Sequence, residues 1–211
     1  MTAEVMAVVD FETTGLSPSV GSRAIEIAVV LVSAGRIVDR YASLMNPGVS
    51  VPAEITAYTG ITTKMVKAAP AAQTVIREAT RFIAKAGLVA HNAAFDSRFL
   101  EAEHRRIGIS QPLNFVCTML LSRRIIHDAP NYKLGTLVEH LGLPCDGNLH
   151  RALADAMVTA ELLIRLQSEI SARCGVTPAH RALAALQRVP RKAMDKALQS
   201  LGQAGHRANQ G

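Results

Sequence analysis

Val5-Met6-Ala7-Val8-Val9-Asp10-Phe11-Glu12-Thr13-Thr14-Gly15-Leu16 organises the rest of the chain. Its five leading apolar residues have strand length and no alternation, the pattern of a strand covered on both faces. Asp10 and Glu12 then stand two apart, so both carboxylates project from one face, roughly 6–7 Å from each other by strand rise. Two like charges at that spacing repel by about 2–3 kcal/mol at an effective dielectric of 20. A covered strand end that keeps such a pair needs cations or a raised pKa on one partner. Acids also occur at strand ends because the following turn is wet, and Thr13-Thr14-Gly15 is ordinary turn chemistry. The rest of the chain decides between these readings.

Working outward, Ala24 to Ser33 and Arg36 to Met45 read as strands joined at Ala34-Gly35, which makes an antiparallel meander with the first strand. A short helix follows at Ala53–Tyr58, ending at Gly60. A longer one opens at Pro70, buries Val75, Ile76, Ala79, Phe82 and Ile83, and is closed by Gly87. Leu88-Val89-Ala90 is a brief buried strand. Asn92 is expected to cap the next helix, whose stripe is Phe95, Phe99 and Ala102. A further strand is expected at Leu113–Val116, then helical pieces at Thr118–Ile126 and Leu134–Leu141. The last strong helix runs from Arg151 to about Arg173. Strands first, then helix, strand, helix, strand, helix give a mixed α/β layer with a partly parallel sheet.

Apolar content of 49% against 19% charged is that of a globular chain and argues against a disordered one. The longest apolar runs are too short to span a bilayer, so no membrane partner is expected. Glu4 and the lack of a basic leader argue against a signal peptide, and Cys117, Cys145 and Cys174 form no C-x-x-C pair. These features predict a cytoplasmic protein with reduced thiols. Five of the six net positive charges lie from Cys174 onward, where Arg181, Arg188, Arg191, Lys192, Lys196 and Arg207 face only Asp195. Residues 176–211 therefore read as a basic, Ala-rich extension of a domain at 1–175, with Gly202–His206 loop-like.

Three more residues join the first two carboxylates. Asp96 follows His91-Asn92-Ala93-Ala94-Phe95 in the first turn of a helix, where the dipole favours an acid. His150 and Asp155 are five apart, so His150 is placed before the last helix, after Gly147-Asn148, while Asp155 is held on it. Four carboxylates and a His are what two divalent ions and an attacking water require. An all-oxygen donor set suits Mg²⁺ or Mn²⁺ rather than zinc, and a His near neutral pKa suits a general base.

Asp10-Phe11-Glu12-Thr13-Thr14-Gly15, His91-Asn92-Ala93-Ala94-Phe95-Asp96 and His150-Arg151-Ala152-Leu153-Ala154-Asp155 resemble the three motifs of the DEDDh (DnaQ-like) 3′→5′ exonucleases. That group includes the proofreading epsilon subunit of bacterial DNA polymerase III. The resemblance covers about residues 5–170. It implies a ribonuclease H-like fold, a mixed five-stranded sheet with three antiparallel strands and then two parallel ones, flanked by helices. It implies that Asp10, Glu12, Asp96 and Asp155 hold two Mg²⁺ or Mn²⁺ ions and that His150 activates the water. Thr13 and Leu16 match positions touching the terminal nucleotide, and His91 and Phe95 join them as pocket candidates, with core packing the other reading of Phe95. The implied reaction is removal of nucleoside 5′-monophosphates from single-stranded or 3′-terminal DNA, in proofreading or repair. RNA trimming and a non-catalytic scaffold of the same fold are the alternatives. A DNA polymerase subunit is the implied partner, although the extension carries no match to the polymerase-binding segment of the epsilon subunit. Phe11 departs from the small, aliphatic or Thr residue frequent at its position and is read as inner-face packing.

Overall fold

The computed structural model describes residues 4–145 and 150–208; the expected turn at Gly147-Asn148 lies outside them. β1 (Val5–Thr13), β2 (Ala24–Ser33) and β3 (Arg36–Leu44) form the antiparallel meander, and helices α1 (Ala53–Thr59), α2 (Thr63–Ala68) and α3 (Ala72–Ile83) follow. Next come β4 (Gly87–Ala90), α4 (Ala94–Arg106), β5 (Phe115–Cys117), α5 (Thr118–Ile125), α6 (Leu134–Leu141) and α7 (Ala152–Cys174). The chain ends in α8 (His180–Leu186) and α9 (Met194–Ala208). The sheet order is β3-β2-β1-β4-β5, with β1 antiparallel to β2 and parallel to β4, and β4 parallel to β5. This is the mixed ribonuclease H-like sheet, with helices on both faces.

The continuous apolar run of β1 is explained by its central place. Met6 and Val8 point into a core shared with α5, α7 and α8, whereas Ala7, Val9 and Phe11 point into a second core built on Val75, Ile76 and Ala79 of α3 and Phe99 and Leu100 of α4. Phe11 is thus inner-face packing, as its sequence context indicates. The period of two also settles where the acids go. Asp10 and Glu12 continue the Met6–Val8 face, so they emerge toward α7.

Several local readings need correction. Gly87 does not close α3, which ends at Ile83 with Ala84 as its C-cap; Gly87 opens β4, where a Cβ would collide with the ring of His180. Asn92 does not cap α4 either. Its backbone is left-handed (φ 61°) and Ala93 holds the cap position, so Asn92 makes the turn that swings the helix away from β4. Gly202–His206 lies inside α9. Gly202 packs against the Cys174 carbonyl and Gly205 against Val176, so close approach, rather than a turn, explains these glycines. Leu183, Leu186, Met194 and Leu198 of residues 176–211 are buried in the α7 core. No helix among the described residues is long and apolar enough to cross a membrane.

Candidate active site

The acidic site forms where β1 outruns its parallel neighbour. β4 pairs only with Met6, Ala7 and Val8. Beyond that point the edge of β1 facing β4 is free, and Asp96, in the first turn of α4, fills it by accepting the Phe11 backbone N–H along with its own. Asp96 is 2% exposed, and its charge adds to the burial that raises Asp10. On the other side α7 delivers Asp155. Single oxygens of Asp10, Glu12 and Asp155 lie within 4.8 Å of one another.

Burial is the first cause of what happens to these groups, and mutual repulsion the second. Asp10 is raised well above the usual carboxylate range by desolvation, then by the charges of Asp96, Asp155, Glu12 and Glu26. Asp96 is raised by burial against the pull of its two backbone donors. Glu12 is raised to about 7 by burial, then by Asp155 and Glu26, with Arg151 opposing. Asp155 is raised by burial and eased by the His150 N–H, which donates to its Oδ2 at 3.2 Å. Four carboxylates that cannot all ionise unaided, offering oxygens and no thiolate, fit divalent cations that prefer oxygen ligands.

Two residues that sequence reading passed over hold α7 against this strand. Glu26 of β2 stands opposite Glu12 in the ladder, a like-charge pairing that a sheet does not tolerate without compensation. Arg151 supplies it, with Nε 3.1 Å from Glu26 Oε2 and Nη2 2.6 Å from Oε1. The Ala152 N–H donates to the same carboxylate at 3.0 Å. Glu26 therefore caps α7 from another strand, since the N-cap residue Arg151 makes no side-chain cap of its own. The available signal was the lone acid within the apolar run Ala24-Ile25-Glu26-Ile27-Ala28, because a charge so placed requires a partner.

His150 precedes α7, as expected, but its ring lies outside the acid cluster. It is exposed, has a left-handed backbone (φ 77°) and rests on Tyr58 at the end of α1, with ring centroids 4.2 Å apart. Tyr58 is 62% exposed. Its hydroxyl is raised by burial and then by Glu12 and Asp155, which places it within electrostatic range of the site.

The remaining pocket candidates differ in what they have left to offer. The Thr13 hydroxyl donates to the Gly15 carbonyl at 2.7 Å and braces the turn. Leu16 is 83% exposed at the crest of that turn. His91 uses both ring nitrogens inside the protein, 2.9 Å from Thr118 Oγ1 and 3.0 Å from the Tyr132 carbonyl. A carbonyl only accepts, so Nε2 carries the proton, and burial lowers the His91 pKa to about 4. Phe95 is partly buried and packs on Phe99, centroids 4.9 Å apart.

Residues 7–163 match the family model described as Exonuclease. A DNA polymerase III subunit epsilon-like protein of Rhodobacter capsulatus is 40% identical over 169 residues, 79% of this chain and 24% of its own length. A PolC-type DNA polymerase III of Caldanaerobacter subterraneus is 37% identical over 163 residues, 77% of this chain and 12% of its own length. The chain thus spans no more than a quarter of either relative. Among solved structures, Exonuclease X in complex with 5′-overhanging duplex DNA is 28% identical with a TM-score of 0.67, covering 86% of this chain and 99% of that one. The nuclease domain of 3′hExo, a DEDDh family member bound to rAMP, shares the fold at 22% identity and a TM-score of 0.68, covering 79% of this chain and 93% of that one. The chain belongs to the exonuclease family.

Proposed function

We propose that this exonuclease works from DNA 3′ ends, hydrolysing phosphodiester bonds one nucleotide at a time and releasing nucleoside 5′-monophosphates in proofreading or repair. The observation that carries the reading is the convergence of Asp10, Glu12 and Asp155 at the end of β1, with Asp96 buried beside Asp10. These four would hold two Mg²⁺ or Mn²⁺ ions. Bound there, divalent ions acidify water and offset the charge that develops on the phosphodiester.

The chain's own residues do the rest. The four carboxylates, fixed by β1, α4 and α7 before any substrate arrives, set the position of the scissile phosphate. His150 leaves Tyr58 and takes a proton from the attacking water on an imidazole nitrogen. Leu16 meets the terminal base from the crest of its turn, while Thr13, His91 and Phe95 shape the wall beneath. Residues 1–175 would carry the chemistry, with 176–211 as an extension bracing α7. The names of the relatives support a DNA polymerase subunit as partner, and the reading places the action in the cytoplasm.

The test is a panel of 5′-labelled oligonucleotides with Mg²⁺ or Mn²⁺: single-stranded DNA, duplexes with matched, mismatched and recessed 3′ ends, and RNA. Shortening from the 3′ end with mononucleotide release is expected on DNA, and none with Asp10→Ala. Internal cuts or intact DNA would overturn the proposal, and faster RNA digestion would move it to an exoribonuclease.

A further inference from the structure

Between the turn that follows β1 and the outer face of α4 lies a cavity of about 540 Å³ lined by Ser17, Ser19, Arg98, Glu101, Arg105 and Arg106 among others. We propose that this cleft binds the sugar-phosphate backbone of the strand that is not cut, the complement in a duplex substrate. The proposal rests on the reading of the acid cluster as a DNA 3′-end exonuclease site.

The cleft's charge is largely uncommitted. Arg98 is exposed and makes no ion pair among the described residues. Arg105 reaches Glu101 at 2.8 Å, but both side chains are mostly exposed, and such a surface pair is readily exchanged for a phosphate. Arg106 comes no nearer than 3.9 Å to Glu103, whose two oxygens are already taken by Arg23 at 2.8 and 3.0 Å. Three guanidiniums therefore face a space that one exposed carboxylate shares. Planar forks of N–H donors next to serine hydroxyls match phosphodiester oxygens.

Length and placement point to a strand rather than to an isolated anion. From Arg98 to Arg106 the helix advances about 12 Å, the axial length of three to four nucleotides of one duplex strand. Both walls of the cleft follow acid-site residues along the chain. On the turn, Glu12 leads through Thr13, Thr14 and Gly15 to Leu16 and then to Ser17; on α4, Asp96 lies two residues before Arg98 and about 200° around the helix from it. Leu16 and Val20, 83% and 81% exposed, flank the serines as an apolar crest on the same turn. Leu16 stands in the sequence between Glu12 and the cleft's Ser17, so the proposed second strand would part from the cut strand at this crest.

The test pairs Arg98→Ala/Arg106→Ala with Arg98→Lys/Arg106→Lys, all at exposed positions. Activity is measured on single-stranded DNA and on a duplex with a recessed 3′ end. Binding is measured by fluorescence anisotropy across a salt series without divalent ions. The alanine pair is expected to raise KM for the duplex by about tenfold, to leave single-stranded turnover unchanged and to lower the salt slope of duplex binding by nearly 2. The lysine pair should restore most of that slope. An equal loss on both substrates would assign the cleft to the cut strand and overturn the proposal. Unchanged duplex KM and salt slope would overturn it too and leave the cleft to some other partner, such as an acidic protein segment. If no DNA is digested at all, the exonuclease reading has failed, while the anisotropy series still decides whether the cleft holds a second strand.

Discussion

The two sides of the site are built to opposite standards. Asp10 and Asp96 are joined through the backbone: one is on the central strand, and the other accepts that strand's Phe11 N–H. His150, only five residues from a ligand candidate, is exposed, left-handed and parked on an exposed tyrosine. The fold commits its carboxylates before substrate or cation arrives and leaves the proposed proton acceptor outside. Holding four acids together is costly and requires a frame, whereas a base that must meet water only when a substrate is seated gains by staying away until then.

The harshest way to break this contrast is to remove a fixed carboxylate. Asp155→Asn should lower turnover by on the order of 10³-fold or more, beyond the loss usual for a single electrostatic contact. Without metal its melting temperature should hold or rise, because one of several repelling charges is gone. Wild-type turnover would remove Asp155 from the ligand set, and a marked loss of metal-free stability would make it structural. Next comes His150→Ala, expected to cost about 10²–10⁴ in turnover with the stabilisation by Mn²⁺ intact. Loss of that stabilisation would mean that His150 is part of the fixed half after all.

The frame can be attacked separately. Arg151→Met leaves Glu26 buried opposite Glu12 with no counter-charge, which should lower stability by about 2–4 kcal/mol in metal-free urea titrations. Glu26→Gln should cost less, because an amide still accepts from Arg151 and Ala152. Equal effects would show that the fork is ornamental. The smallest change expected is at Tyr58. An aromatic pair is worth about 0.5–1.5 kcal/mol, so Tyr58→Ala should free His150 and raise turnover by up to about tenfold in single-turnover measurements. A fall of that size would make Tyr58 a contributor to catalysis rather than a resting place.

What was legible beforehand follows the same division. The unbroken apolar run of β1, the alternation of its two acids and the helical stripes of α3 and α7 are local patterns, and each reports its own burial. They placed the antiparallel meander and the helices, whereas the parallel course of the last two strands was implied only by the resemblance. Phe11 was legible for the same reason, since the position between two inward acids can only face the other core. Contacts made across the fold were not legible. The capping of α7 by Glu26 joins residues 126 apart, and no neighbour of Ala152 announces it. Asn92 looked like a cap because its chemistry suits one, but tertiary packing used its tolerance of positive φ instead. Gly87, Gly202 and Gly205 read as breaks from their residue type alone, while in the structure each is a point where another element comes too close for a side chain. Nothing in the sequence around Tyr58 marks it as the seat of His150.

The central claim is that the four carboxylates form a divalent-cation site held in place by the fold. Each is an acid raised in the folded state. Its contribution to metal-free stability is therefore full below its unfolded pKa and is lost as pH rises through its folded value, between 4.5 and about 7 for Glu12. Cations bind the deprotonated forms and replace what is lost. The direct measurement is the melting temperature from pH 5 to pH 8.5 with EDTA and with Mg²⁺ or Mn²⁺. The account requires a small shift by the cation at pH 5 that grows through neutrality, and its absence in Asp10→Asn. A shift independent of pH, or none at pH 8, would contradict it.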